Sequence, residues 1–140
     1  MDFKLSKNSK KNIKGIDKRL IKLVNRVLAK SDIDFGIPNY GGFRTAQEQN
    51  NLFHKRPKVT QLDGFKRQSY HQSGKAFDIF VYDEHGACWD CTKKYIALSE
   101  LFKAEYAMMK EECIFKQDEN FTWGGDWTRF KDIPHFQIND

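Results

Sequence analysis

In the stretch SYHQSGKAFDIF, Ser69 to Phe80, a histidine and an aspartate, His71 and Asp78, stand seven positions apart. Gly74 and Ala76 lie between them, and an apolar run follows. An aspartate in such a run is seldom buried unless it is paired or bound to a metal. A catalytic zinc takes three protein ligands from His, Asp or Glu and keeps a fourth position for water. His71 and Asp78 supply two, and Gly74 lets the chain turn so that both can point at one centre. The third must come from another segment. His135 is the best candidate, because in IPHFQI strand alternation sets it and Gln137 on the face opposite Phe136 and Ile138. His54 and His85 fall at a helix end and in a turn.

Zinc alone does not cleave an amide efficiently. A carboxylate must take a proton from the attacking water and pass it to the leaving amine. Asp132, three residues before His135, would sit beside the metal without having to ligate it. The oxyanion that develops on the carbonyl also needs a positive partner, and Arg44 is the donor the sequence offers. Spacing alone leaves a second reading open. Two histidines and two aspartates can be satisfied structural polar groups, and Arg44 can simply pair with an acid near the following helix.

The elements that must position these residues read as an α+β fold, a small antiparallel sheet flanked by helices. Ile13, Ile16, Leu20, Leu23, Val24, Val27 and Leu28 recur at helical spacing and predict one basic amphipathic helix over about 12–30. IDFGIPNYGGF predicts a short strand and a turn. Thr45 and Glu48 form a T-x-x-E capping box that opens a helix ending near His54. Residues 55–70 read as a long polar loop, of a length often reserved for function. Ala76 to Tyr82 reads as one strand with Phe77, Ile79 and Val81 on one face. Asp83 to Asp90 reads as a turn. Tyr95, Leu98, Phe102, Tyr106 and Met109 predict a third helix with a core stripe. FTWGGDW reads as a glycine-hinged aromatic loop and IPHFQI as a closing strand.

A chain of 140 residues with 39% hydrophobic and 14% aromatic residues suits one folded domain, residues 1–140. No apolar run approaches the roughly 20 residues of a membrane helix. The N-terminus MDFKLSKNSKKNIKG has no apolar h-region of the kind a secretory signal carries. The expectation is a monomer made and left in the cytoplasm unless a separate device releases it. The net charge of +5 is concentrated in residues 1–30, which carry ten Lys/Arg against two Asp/Glu. That is either a solvated helix face or an attraction to a polyanion, nucleic acid or cell wall. A metal-dependent nuclease is weakened because the charge lies away from the proposed ligands. Cys88, Cys91 and Cys113 are an odd set, and reduced thiols are the expectation. A structural zinc built on HGACWDC, with His85 and Cys113, is the weaker alternative.

The pattern S-x-H-x-x-G-x-A-x-D, present as Ser69, His71, Gly74, Ala76 and Asp78, resembles the signature of the zinc D-alanyl-D-alanine carboxypeptidase and dipeptidase family. That family shares its fold with the hedgehog signalling domain. GFRTAQEQ, Gly42 to Gln49, looks like the family's arginine-bearing segment, and WGGDW…DIPHFQ like its C-terminal segment. The resemblance runs from about Ile33 to Ile138. It implies His71, Asp78 and His135 as zinc ligands, Asp132 as general base and Arg44 on the carbonyl oxygen. Ser69, Gln47 and Trp127 would line the substrate cleft. The D-alanyl-D-alanine enzymes typically carry a glutamate base and a tryptophan or tyrosine after the last histidine, where this chain has Asp132 and Phe136. The pattern is more similar to the L-alanyl-D-glutamate endopeptidase branch, which includes phage endolysins. The resemblance thus implies a zinc enzyme cutting the L-Ala–D-Glu bond of the peptidoglycan stem peptide, held in the host cytoplasm until a holin opens the membrane. The alternatives are a D-alanyl-D-alanine carboxypeptidase and a zinc-containing wall-binding module without catalysis. Intact Asp132 and Arg44 argue against the module.

Overall fold

The basic N-terminal segment folds as two helices, α1 (Lys7–Ile13) and α2 (Lys18–Lys30), where periodicity alone reads as one. The break is at Gly15, which has φ +90°. A side chain there would be strained and would bring its Cβ to 2.9 Å from Phe43 Cβ. Ser6 caps α1 and Asp17 caps α2, each side chain accepting a backbone N–H two or three residues on. The computed structural model describes residues 2–139.

α2 buries Leu20, Leu23, Val24, Val27 and Leu28 against the core. Its partner is α4 (Thr92–Glu111), whose Tyr95, Leu98, Phe102, Tyr106 and Met109 are buried as their spacing predicts. The two helices are also joined by charge. Glu105 of α4 is buried and takes Arg26 and Lys30 at 2.7 Å each, while Arg19 pairs with the buried Glu119 at 2.7 Å. Buried carboxylates are tolerated only when paired in this way. Three of the cations of the basic segment are therefore engaged inside the fold rather than offered to a partner. The Thr45–Glu48 capping box forms as expected and opens α3 (Ala46–Phe53).

Six short strands make two antiparallel three-stranded sheets: β1 (Phe35–Gly36), β3 (Phe80–Asp83) and β4 (Gly86–Cys88) in the order β1-β3-β4, and β2 (Ala76–Asp78), β6 (His135–Asn139) and β5 (Asn120–Trp123) in the order β2-β6-β5. The single strand expected over Ala76–Tyr82 is thus divided at Ile79. Its N–H bonds Pro134 O at 3.0 Å, and the chain passes from one sheet to the other. Phe77, Ile79 and Val81 stay fully buried on either side of the break. The expected turn at 83–90 contains β4, and the expected loop FTWGGDW begins inside β5. The decisive register is β2 on β6, which sets Phe77 opposite Phe136 and Asp78 opposite His135. The Phe77 and Phe136 rings stack at 5.3 Å, which locks that register.

The expectation of reduced cysteines is overturned for two of the three. Cys88 ends β4, Cys91 precedes α4, and the hairpin brings their Cα atoms to 5.8 Å, within bridging range; they form a disulfide. Bridged sulfurs are not thiolate ligands, so the zinc alternative for HGACWDC falls with it. Cys113 is free and exposed. Among the described residues no helix is long and apolar enough to cross a membrane.

Candidate metal centre

His71 lies on a single 3-10 turn, Tyr70–Ser73, whose ends are fixed by its neighbours. The Ser69 hydroxyl accepts the His71 N–H at 3.2 Å, and the Gln72 side chain accepts the Ser69 N–H at 2.9 Å. Gly74 ends the turn at φ +73°, a conformation glycine adopts without cost. Asp78 closes β2 and His135 opens β6. The turn and the sheet register bring three ligand atoms together. His71 Nε2 is 3.2 Å from His135 Nδ1 and 3.2 Å from Asp78 Oδ1, and His135 Nδ1 is 3.1 Å from the same oxygen.

The outer nitrogen of each imidazole fixes its tautomer. His71 Nδ1 lies 2.8 Å from the Gly42 carbonyl, which can only accept, so Nδ1 carries the proton and Nε2 turns a lone pair inward. His135 Nε2 lies 2.7 Å from Gln137 Oε1. Gln137 donates to Asn139 at 2.7 Å, and Asn139 donates to Thr122, so this chain of amides assigns the Gln137 oxygen to His135. In the neutral ring Nδ1 of His135 therefore also turns a lone pair inward; burial alone would lower the His135 pKa, but the bond to Asp78 raises it, so that a proton on Nδ1 is what a metal would displace. Two lone pairs and a carboxylate converging at these distances repel unless a cation lies among them. Ligands bound tetrahedrally at about 2.0–2.1 Å from zinc stand about 3.3 Å apart, close to the separations found here. The donor set fits the metal the sequence points to. Burial pushes the His71 pKa down, favouring the neutral imidazole a metal requires. Burial alone would raise the Asp78 pKa, but the two imidazoles outweigh it and hold the carboxyl well below the usual range.

Asp132 stands at the open end of the cluster. Its Oδ2 is 3.9 Å from His135 Nδ1, and its side chain is 47% exposed. Partial burial, and then the neighbouring Asp78 carboxylate, push its pKa up to about 6. Gly124 makes this placement possible. The Gly124 carbonyl accepts the Asp132 N–H at 3.0 Å, and a Cβ on residue 124 would meet the Asp132 backbone oxygen at 2.2 Å. The first glycine of WGGDW is thus required by close backbone approach. Trp127, from the same segment, sets its ring 5.4 Å from that of His135.

Arg44 reaches the cluster from the turn before α3. Nη2 donates to Asp78 Oδ2 at 3.0 Å, Nη1 to Gln49 Oε1 at 3.0 Å and Nε to Tyr40 O at 2.6 Å. Three of the five guanidinium N–H groups are engaged, and one on each Nη remains. The two other residues expected at the substrate cleft are placed differently. Ser69 is buried as the cap of the His71 turn, and Gln47 is exposed and bonded to Asn51. The glutamine that reaches the site is Gln49, fully buried. It holds Arg44 and also donates to Thr60 and to the Leu62 carbonyl in the long loop. Neither its role nor those of Gly42, Gln137, Asn139 and Thr122 is assigned by sequence reasoning. Gln137 alone left a signal, because strand alternation puts it on the face of His135.

This α+β frame is shared with a solved structure. The crystal structure of the Serratia marcescens L-Ala D-Glu endopeptidase ChiX superposes with a TM-score of 0.74 at 22% sequence identity, covering 99% of this chain and 91% of that one. The fold carries a family assignment in the sequence: residues 63–138 match the family described as D-alanyl-D-alanine carboxypeptidase, and the chain belongs to it. The matched span contains His71, Asp78, Trp127, Asp132 and His135. A curated relative is the peptidoglycan L-alanyl-D-glutamate endopeptidase CwlK of Bacillus subtilis (strain 168), 33% identical over an alignment 101 residues long that covers 69% of this chain. The match spans 57% of CwlK, a little over half its length.

Proposed function

We propose that this chain is a zinc peptidase of the bacterial cell wall that hydrolyses the L-Ala–D-Glu bond of the peptidoglycan stem peptide. The observation that carries the reading is the triangle of His71 Nε2, Asp78 Oδ1 and His135 Nδ1, with edges of 3.1–3.2 Å and the Asp132 carboxylate 3.9 Å from one corner. The choice of bond is supported by the two relatives, both described as L-Ala–D-Glu endopeptidases. Asp132 and Phe136 in place of the glutamate and the larger aromatic of the D-alanyl-D-alanine enzymes support it further. In this reading His71, Asp78 and His135 hold zinc, which supplies Lewis acidity and lowers the pKa of an attacking water.

The chain's own residues do the rest. Asp132 Oδ2 takes the water proton and returns it to the leaving amine of glutamate. The free N–H groups of Arg44 meet the carbonyl oxygen as it becomes negative. Trp127 forms one wall of the peptide cleft. The proposal extends to a role as a bacteriophage endolysin that reaches the wall when a holin opens the membrane. The test of the enzymatic reading is incubation with purified peptidoglycan. Soluble stem peptides should appear, a chelator should stop their release, and added zinc should restore it. Release insensitive to chelation, or none from zinc-loaded protein, would overturn the reading.

Arg44 gives a separable test. Arg44→Ala is expected to lower kcat by about 10²–10³, the cost of removing one oxyanion donor, with zinc still bound. Arg44→Lys should recover only part, since lysine offers a point charge in place of a planar fork. A lowered Tm with unchanged kcat would leave Arg44 only a structural role through its bonds to Asp78, Gln49 and Tyr40.

A further inference from the structure

The long polar loop that precedes the His71 turn is pinned at its centre. Three consecutive loop carbonyls are each held by a side-chain amide. Gln49 Nε2 donates to Leu62 O, Asn50 Nδ2 to Asp63 O and Gln72 Nε2 to Gly64 O, all at 2.9 Å. The strap so formed, residues 62–64, is also fixed from within, because Asp63 Oδ1 accepts the N–H groups of Phe65, Lys66 and Arg67 at 2.9 Å each. Gly64 holds φ +89°, and a Cβ there would fall 2.6 Å from the Ala46 carbonyl, so the strap lies directly on α3.

Each end of the strap leads to the site. At one end Gln72 Oε1 accepts the Ser69 N–H at 2.9 Å, which ties the strap to the turn that carries His71. At the other end stands Gln49, fully buried. Its second Nε2 hydrogen goes to Thr60 Oγ1 at 3.2 Å, so both donors are spent on the loop and Oε1 is turned to Arg44 Nη1 at 3.0 Å. Tyr40 O and Asp78 Oδ2 hold two corners of the guanidinium, and Gln49 is the third point, which fixes its plane. The hydrogens left on Nη1 and Nη2 are those that would meet the oxyanion, and such a donor acts only as far as it is aimed.

We propose that Gln49 is a positioning residue, through which the strap at 62–64 aims Arg44 at the carbonyl of the cleaved amide. Gln49 has no surface to offer a substrate and acts through Arg44 alone. The inference rests on the peptidase reading above.

The experiment is a double-mutant cycle on a synthetic stem peptide, with zinc content and Tm measured alongside. Gln49→Met keeps the volume and removes the hydrogen bonds. It should lower kcat by about 10–100-fold, the scale of a misaimed group, with KM little changed and about one zinc per chain. Asn50→Leu frees the strap without touching any partner of Arg44. It should lower kcat about threefold, the scale of one neutral hydrogen bond. In an Arg44→Ala background neither change should cost more than about a further twofold, since both act through the missing group. Full losses in that background, or an unchanged kcat in both single variants, overturn the inference. Where Gln49→Met is too unstable to purify, Asn50→Leu in the two backgrounds decides in the same way. A second readout needs no turnover. Nitrogen-15 spectra of the wild type should resolve the two Nη groups of Arg44, whose rotation its partners slow. Both variants should merge these signals and leave those of Arg19, which Asp17 and Glu119 hold. Arg44 signals unchanged in both variants overturn the inference whether or not a peptide is cut. A wild type that cuts no stem peptide defeats the peptidase reading instead, and the Arg44 signals then decide on the strap.

Discussion

Asp132→Asn is expected to lower turnover by about two to four orders of magnitude, the range for losing a positioned general base. The amide is nearly isosteric with the carboxylate but cannot take the proton. The backbone that places residue 132 is untouched by the change, because it is held by its own N–H to Gly124 O at 3.0 Å and its carbonyl to the His135 N–H at 3.0 Å. The side chain lies 3.9 Å from His135 Nδ1 and, among the described residues, makes no hydrogen bond to the cluster, so zinc stoichiometry should stay at about one per chain. Turnover near that of the wild type would remove Asp132 as the base. Loss of zinc with loss of turnover would make it a ligand.

His71→Ala and His135→Ala should each remove bound zinc and activity together. Each ligand is one corner of a triangle whose other corners cannot close around the gap, because each is committed elsewhere. His71 is fixed through Gly42 and the Ser69 cap, His135 through Gln137, and Asp78 through Arg44 at 3.0 Å. Removing one imidazole leaves two ligands where a catalytic zinc needs three. Metal analysis of the purified variants reads the outcome directly, and circular dichroism separates it from unfolding. Full zinc content in both folded variants would take these residues out of the centre.

The parts of this site that were legible in the sequence are those set by local rules. The His71 turn announced itself through Gly74, the helix after Arg44 through its capping box, and the ligand faces of the two strands through period-two alternation. What the sequence did not disclose depends on contacts between distant segments. That Asp78 faces His135 is a matter of register between strands 57 residues apart, set by Phe77 on Phe136. Gln49 rather than Gln47 reaches Arg44 because α3 turns residue 49 inward toward the loop at Thr60 and Leu62. The break at Gly15 looked like a minor weakening of one helix. It became a corner because Phe43 occupies the space a side chain would need. The Cys88–Cys91 bridge is a local one, between residues three apart, and was missed because an odd set of cysteines was read as reduced and β4 was read as a turn.

The measurement that tests the account most directly is identification of the ends created when the zinc-loaded protein digests purified peptidoglycan. Mass spectrometry of the soluble products, with end-group labelling of the new amines, should find D-glutamate at the new N-termini and L-alanine at the matching C-termini. Stem peptides shortened only by a terminal D-alanine would contradict it and assign carboxypeptidase activity in its place, and intact stems would leave a protein that holds metal at His71, Asp78 and His135 without cutting the wall.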